Sequence, residues 1–284
     1  MTSDRPVDYV IVGLGNPDAD YVTTRHNVGF IFCDYLANCI AMQTALLEQM
    51  QAEDSAATGA QSKKDTPVTI PSNYVTPKFV RKGDVVADVH DVIFKLAPDD
   101  VFPSQTVAAR ASGKKGELRT FRLLLVKPLT GMNNSGLAVS KIISTYGIKN
   151  PGKQLIVVFD DMNTLQGSIA VQNGGDLRAV QGHKGVESIA AYLKTGDFIR
   201  FRIGIGRPAA NIPVTSYVLS SFEKENKEMD YLGHALDLTA QALQFFAATA
   251  DIKETKKKFA NSKKLPKNLR KMEGLVFPIE ITGA

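Results

Sequence analysis

Val10-Ile11-Val12-Gly13-Leu14-Gly15-Asn16-Pro17, followed by Tyr21-x-x-Thr24-Arg25-His26-Asn27-Val28-Gly29, decides how this 284-residue chain is read. A β-branched run breaks at a Gly-Leu-Gly turn. An Asn stands on that turn, and ten residues later a His stands where a helix should begin. Strand, tight turn and helix in that order open an α/β unit. A dinucleotide-binding loop would place a third glycine at position 18, but Asp18 stands there and Pro17 interrupts the approach to the helix.

Outward from that stretch, strands and helices alternate. Val7–Val12 is the first predicted strand and Asn27 to about Met50 the first helix, with Phe30, Phe32, Cys33, Leu36 and Ile40 on one broad apolar face. Asp84–Lys95 and Arg119–Val126 are strand candidates. Asn133–Tyr146 should be a helix closed by Gly147. Leu155–Phe159 has the composition of a fully buried strand and runs into Asp160-Asp161. Gly167–Gln172 is a short strand, His183–Leu193 a helix, Phe198–Ile205 a strand and Lys224–Ala250 a long helix. Residues 51–77 and 97–117 are rich in Pro, Ser, Ala and Lys or Gly and are read as insertions. The pattern predicts a single three-layer α/β domain over 7–250, with a twisted, mixed, mostly parallel sheet flanked by helices.

Composition sets further bounds. No uninterrupted apolar run reaches the about 18 residues that span a bilayer, and no signal or transit peptide is expected ahead of the first strand. The two cysteines, Cys33 and Cys39, fall in the first helix and are read as small buried hydrophobes. The formal charge of +5 is unevenly placed: residues 253–284 hold nine Lys/Arg against three Asp/Glu, and the rest of the chain is nearly neutral. A basic tail over 251–284 either recruits nucleic acid or is a solvated extension.

Two candidate chemistries meet at Asp160. A hydrophobic strand ending in Asp-Asp is how some nucleotide hydrolases hold magnesium, but no GxxxxGK[ST] loop accompanies it. The carboxylate can instead orient a histidine. Active sites of α/β sheets form beyond the carboxyl ends of strands, where Asn16 and Asp160 both fall. His26 at a helix start, its tautomer fixed by Asp160, could take a proton from water. A plain surface histidine is the other reading. Asn133 has a similar choice between lining the site and capping a helix.

Four blocks occur together and in order. They are the opening stretch; Pro128-Leu129-Thr130-Gly131-Met132-Asn133-Asn134-Ser135-Gly136; Asp160-Asp161-Met162-Asn163-x-x-x-Gly167 with Gly182-His183-Lys184-Gly185; and Arg202-Ile203-Gly204-Ile205-Gly206-Arg207-Pro208 with Tyr217-Val218-Leu219. Over about residues 7–222 the chain resembles bacterial-type peptidyl-tRNA hydrolases, and its insertions suggest a eukaryotic source. The resemblance implies hydrolysis of the ester joining a peptide to the 3′ ribose of tRNA. Carried over by position, His26 is the general base and Asp160 its orienting partner. Asn16, Tyr21, Asn133 and Lys184 hold the substrate end, and Arg202 takes a tRNA phosphate, unless it only forms a salt bridge on a strand edge. No metal or cofactor is implied, and the family is monomeric and acts in the cytoplasm or mitochondria. Departures are Gly131 for an aromatic, Phe159 for a His, Lys184 for an Asn, and Gln172 for the second phosphate-binding cation. A non-catalytic RNA-binding relative of the same fold is the alternative.

Overall fold

The computed structural model describes residues 5–56, 72–96, 119–175, 182–223 and 227–260. Strands β1 (Tyr9–Gly13), β2 (Val80–Lys82), β3 (Ala87–Leu96), β4 (Arg119–Pro128), β5 (Leu155–Asp161), β6 (Ile169–Asn173) and β7 (Ile199–Gly204) form one sheet in the order β2-β3-β4-β1-β5-β7-β6. The four central strands β4, β1, β5 and β7 are parallel, and β2, β3 and β6 run antiparallel to their neighbours. The mixed, mostly parallel sheet is thus as predicted. The helices are α1 (Val28–Ala56), α2 (Ser135–Thr145), α3 (Pro151–Gln154), α4 (Lys184–Leu193), α5 (Val214–Val218), α6 (Glu228–Thr249) and α7 (Ile252–Phe259).

Burial on both faces explains the unbroken apolar runs of the central strands. Ile11, Leu125, Ile156 and Val158 pack beneath α1 and α6, while Val10, Val12, Leu124 and Val157 pack beneath α2 and α4. The chain leaves β1 by way of α1 on one face and β4 by way of α2 on the other. The sheet order therefore reverses beside β1, and a crevice opens at the carboxyl ends of β1, β4 and β5.

Two glycines let α1 sit close over the end of β1. A Cβ on Gly13 would overlap the Gly29 carbonyl oxygen, and one on Gly29 would overlap the Leu14 nitrogen and the Val158 oxygen. Cys33 and Cys39 are buried as expected, and burial pushes both thiols up to about 12.

Several predicted boundaries shift. The stretch Arg25–Asn27 is a separate 3-10 turn ahead of α1, and α1 continues through Ala56 into the stretch read as an insertion. The rest of that insertion between 57 and 71, and the one at 97–117, lie outside the described residues. The strand β2 was not predicted. It is three residues long and mostly exposed, so no hydrophobic period marks it. The Arg25–Gln49 stretch is also long and apolar enough by composition to cross a membrane, because Asp34 interrupts the run without ending it. Its apolar side chains instead pack on the sheet, which accounts for a helix apolar over most of its circumference. Finally, the basic tail begins as a helix. Asp251 caps α7 by accepting from the Lys253 and Glu254 N–H groups, and Phe259 packs edge-on against Phe245. Residues 261–284 lie outside the described residues.

Candidate active site

At the end of β1 the backbone of Asn16 is held from both sides by one side chain. Asn27 accepts from the Asn16 N–H at 2.8 Å and donates to its carbonyl at 2.9 Å, as a neighbouring strand would. The Asn16 side-chain oxygen accepts from the Met132 N–H at 2.9 Å, which leaves its NH₂ as the remaining donor group. This contact ties the β1 turn to the 130–134 loop that follows β4. Gly131 in that loop has φ 75° and ψ 159°, a conformation nearly confined to glycine, so the residue type present here suits its backbone. Asn133 is exposed and lines the same crevice, while Asn134 takes the position ahead of α2.

His26 projects from the 3-10 turn to Asp160, with Nδ1 2.9 Å from Oδ1. A carboxylate only accepts, so Nδ1 carries a proton, and in the neutral ring the lone pair is therefore on Nε2. The sequence reading of this pair rests on two elements 134 residues apart, and the sheet brings them into contact. A second imidazole reaches the same oxygen: His183 Nε2 lies 3.1 Å from Asp160 Oδ1. The two rings lie 4.9 Å apart at 45°, and Phe159 meets His183 edge-on at 4.7 Å. Burial opposes ionisation of Asp160, but attraction to His183 and hydrogen bonds from both imidazoles outweigh it. The carboxyl is held well below the usual carboxylate range. Among the described residues, His26, Asp160 and His183 are also the group whose donor atoms lie close enough to share a metal ion. Hydrogen bonding to the carboxylate accounts for both imidazole contacts.

Sequence reasoning missed His183. Its signal was the Gly182-His183 step immediately before α4, overshadowed by the change of residue type at the neighbouring Lys184. The Lys184 side chain is 65% exposed and pairs with Glu187 at 3.1 Å, a contact one helical turn away, while still edging the crevice. Asp161, one residue beyond Asp160 and so on the opposite face of the sheet, serves the local turn. It accepts from the Asn163 N–H at 2.9 Å and the Thr164 hydroxyl at 2.6 Å, and pairs with Arg202 at 3.3 Å. The two carboxylates have separate partners, Asp160 the imidazoles and Asp161 the turn and Arg202, which argues against a metal-holding couple. Arg202 combines both readings made of it: it forms that ion pair and also lines the crevice. Tyr21 is not among the crevice-lining residues. It sits on a 3-10 turn where its carbonyl accepts from Thr24.

The crevice has a volume of about 630 Å³. Asn16, His26, Asn133, Asp160, His183 and Arg202 are among its polar lining, with Asp161 and Lys184 also reaching it, and Met132, Phe159, Met162, Val214, Val218 and Leu219 contribute apolar surface. A basic imidazole nitrogen, a buried carboxylate behind it and amide donors beside it suit activation of water against a carbonyl carbon.

Comparison with known proteins agrees with this chemistry. The family model described as peptidyl-tRNA hydrolase matches residues 10–103 and 90–268. The peptidyl-tRNA hydrolase of Aquifex aeolicus (strain VF5) is 31% identical over 220 residues, covering 78% of this chain and 81% of that protein. That of Persephonella marina is 28% identical over 233 residues, covering 82% and 87% respectively. The crystal structure of peptidyl-tRNA hydrolase from Acinetobacter baumannii superposes with a TM-score of 0.58 at 22% identity, over 92% of this chain and all of that one. The structural likeness speaks to the fold.

Proposed function

The chain belongs to the peptidyl-tRNA hydrolase family, and on that premise we propose that it cleaves the ester between a peptide, or an N-blocked aminoacyl group, and the 3′ ribose of tRNA. The products are the free acid and a tRNA available for reuse in translation. The observation that carries the mechanism is the His26–Asp160 contact at 2.9 Å inside the crevice. His26 Nε2 takes a proton from water as the water attacks the ester carbonyl carbon. Asp160 fixes the tautomer and stabilises the imidazolium that forms. The NH₂ groups of Asn16 and Asn133 are the donors proposed to face the developing oxyanion and the substrate backbone. The proton held on His26 then passes to the departing 3′ oxygen of the ribose. His183 helps hold Asp160 ionised.

The complete dyad favours an enzyme over an RNA-binding relative without activity, because binding alone requires no basic imidazole backed by a buried carboxylate. Purified protein is expected to release N-acetylaminoacyl groups from N-acetylaminoacyl-tRNA in the presence of EDTA. Binding of that tRNA without release would move the protein to the non-catalytic reading, and release that disappears in EDTA would favour metal-dependent chemistry. A monomer acting in the cytoplasm is the form proposed, and the packing of α1 within the fold supports action away from a membrane.

Phosphate binding is proposed for Arg202 and for the basic C-terminal segment. Deleting residues 261–284, which spares α7, removes five of the nine basic residues beyond 252. The deletion is expected to weaken tRNA binding and flatten the dependence of log Kd on log salt, by up to about 0.7–0.9 for each phosphate that is no longer neutralised. Filter binding at three salt concentrations checks this, and an unchanged slope would assign the segment no role in tRNA binding.

A further inference from the structure

His26 lies between two residues that perform different work. Asn27 clamps the β1 turn, and Arg25 turns away into a buried polar cluster. Arg25 is 2% exposed, and its guanidinium pairs with Glu228 at 2.5 Å at the start of α6. Its other terminal nitrogen donates to the Ser220 carbonyl at 3.1 Å, the Ser220 hydroxyl at 2.6 Å and the Ser221 carbonyl at 2.8 Å. The group lies 4.5 Å from the Tyr217 ring centroid and 5.4 Å from that of Phe222. The backbone adds to this attachment. The Arg25 N–H donates to the Ser220 carbonyl at 3.1 Å, Thr24 and Ser221 form a β-bridge, and the Thr23 and Ser221 hydroxyls bond at 2.7 Å. Glu228 is itself held, by the Gln166 amide at 2.9 Å and the Glu223 N–H at 2.7 Å.

What this cluster holds is one wall of the crevice. Val214, Val218 and Leu219 line it from α5 and the residue that follows. The helix α5 is five residues long and none of them is buried. Its Tyr217 is half-buried and donates its hydroxyl to the Ile205 carbonyl at 2.5 Å, and Phe222 beyond it packs on the core, so the wall is held at those points and by the Arg25 cluster rather than by a buried face of α5. We propose that Arg25 is a positioning residue that latches this wall to the turn carrying His26, and so sets how firmly the acylated end of tRNA is gripped. The proposal rests on the hydrolase reading above. The charge and the forked shape of Arg25 are both used, because one nitrogen meets a carboxylate while the other gathers three oxygens.

Arg25→Lys keeps the charge and loses the fork. The wall should loosen while the separate contact of His26 to β5 remains. Amide hydrogen exchange within 214–222 is expected to accelerate about tenfold, with amides of β5 unchanged. With N-acetylaminoacyl-tRNA, KM is expected to rise about tenfold while kcat stays within about threefold and the pH midpoint of kcat is retained, the signature of weakened uniform binding. Should Arg25→Lys not fold, Ser220→Ala removes one acceptor at an exposed position and is expected to give about a threefold change in the same two readouts. The exchange experiment needs no substrate, so it tests the latch even if wild-type protein releases nothing, an outcome that would sink the hydrolase reading instead. Unchanged exchange in 214–222, faster exchange with unaltered KM, or a fall in kcat at constant KM would each overturn the proposal.

Discussion

His26→Ala is expected to lower kcat for N-acetylaminoacyl-tRNA by about 10²–10⁴-fold and to leave KM within about threefold, since general-base assistance is worth that much and acts in the transition state. The imidazole is one member of a lining shared by loops after β1, β4 and β5 and by α5, so its removal takes away little binding surface. Structural cost should be small as well. His26 sits on a 3-10 turn held independently by Arg25 and Asn27, and its own side chain is 15% exposed. Single-turnover release, measured beside tRNA binding by filter retention, separates the two quantities. Near-normal turnover in a folded His26→Ala protein would remove His26 from the mechanism.

Asp160→Asn is expected to lower kcat by about 10²–10⁴-fold through a different route. Two imidazole nitrogens converge on one carboxylate oxygen. An amide turned with its oxygen toward them keeps the hydrogen bonds but provides no negative charge to stabilise the imidazolium. Turned with its nitrogen toward them, it forces His26 to carry its proton on Nε2, where no proton can then be taken from water. Either orientation reduces basicity while the cavity keeps its shape, so KM should move little.

The same substitution carries a stability signature. In the folded protein the Asp160 carboxyl is held below its unfolded value of about 3.8. Its ionisation therefore stabilises the fold fully above that value and progressively less as pH falls toward the lower folded value. Urea unfolding should show wild type and Asp160→Asn differing more at pH 7 than at pH 3. A gap that widens toward acid would contradict the direction assigned to this group.

Much of the central sheet was legible because its strands are buried on both sides and their residues say so without interruption. The contact between His26 and Asp160 was legible because each stands at the carboxyl end of a strand or the start of a helix, positions that turn chemistry marks. His183 was harder to find. Its partner is 23 residues away, and the more conspicuous Lys184 beside it turns out to bond along its own helix. Tyr21 was placed at the site by position in a motif, and it does not appear among the residues lining the crevice. The helix α7 was hidden by charge. Its lysines read as a tail, although Asp251 as a cap and Ile252, Thr255 and Phe259 at helical spacing carried the opposing signal. The Arg25 cluster could not be read, since it joins segments about 200 residues apart and half of its guanidinium bonds go to backbone oxygens, which leave no trace in a sequence.

The contact between Gly13 and Gly29 limits how such a chain can diverge. A methyl group on either would land inside the backbone of the other segment. Alanine at either position forces backbone to shift. The helix that follows His26 would have to back away from the strands, carrying His26 away from Asp160, which lies two residues past the Val158 oxygen that a Cβ on Gly29 would meet. The spacing between His26 and Asp160 thus depends on an absence of atoms.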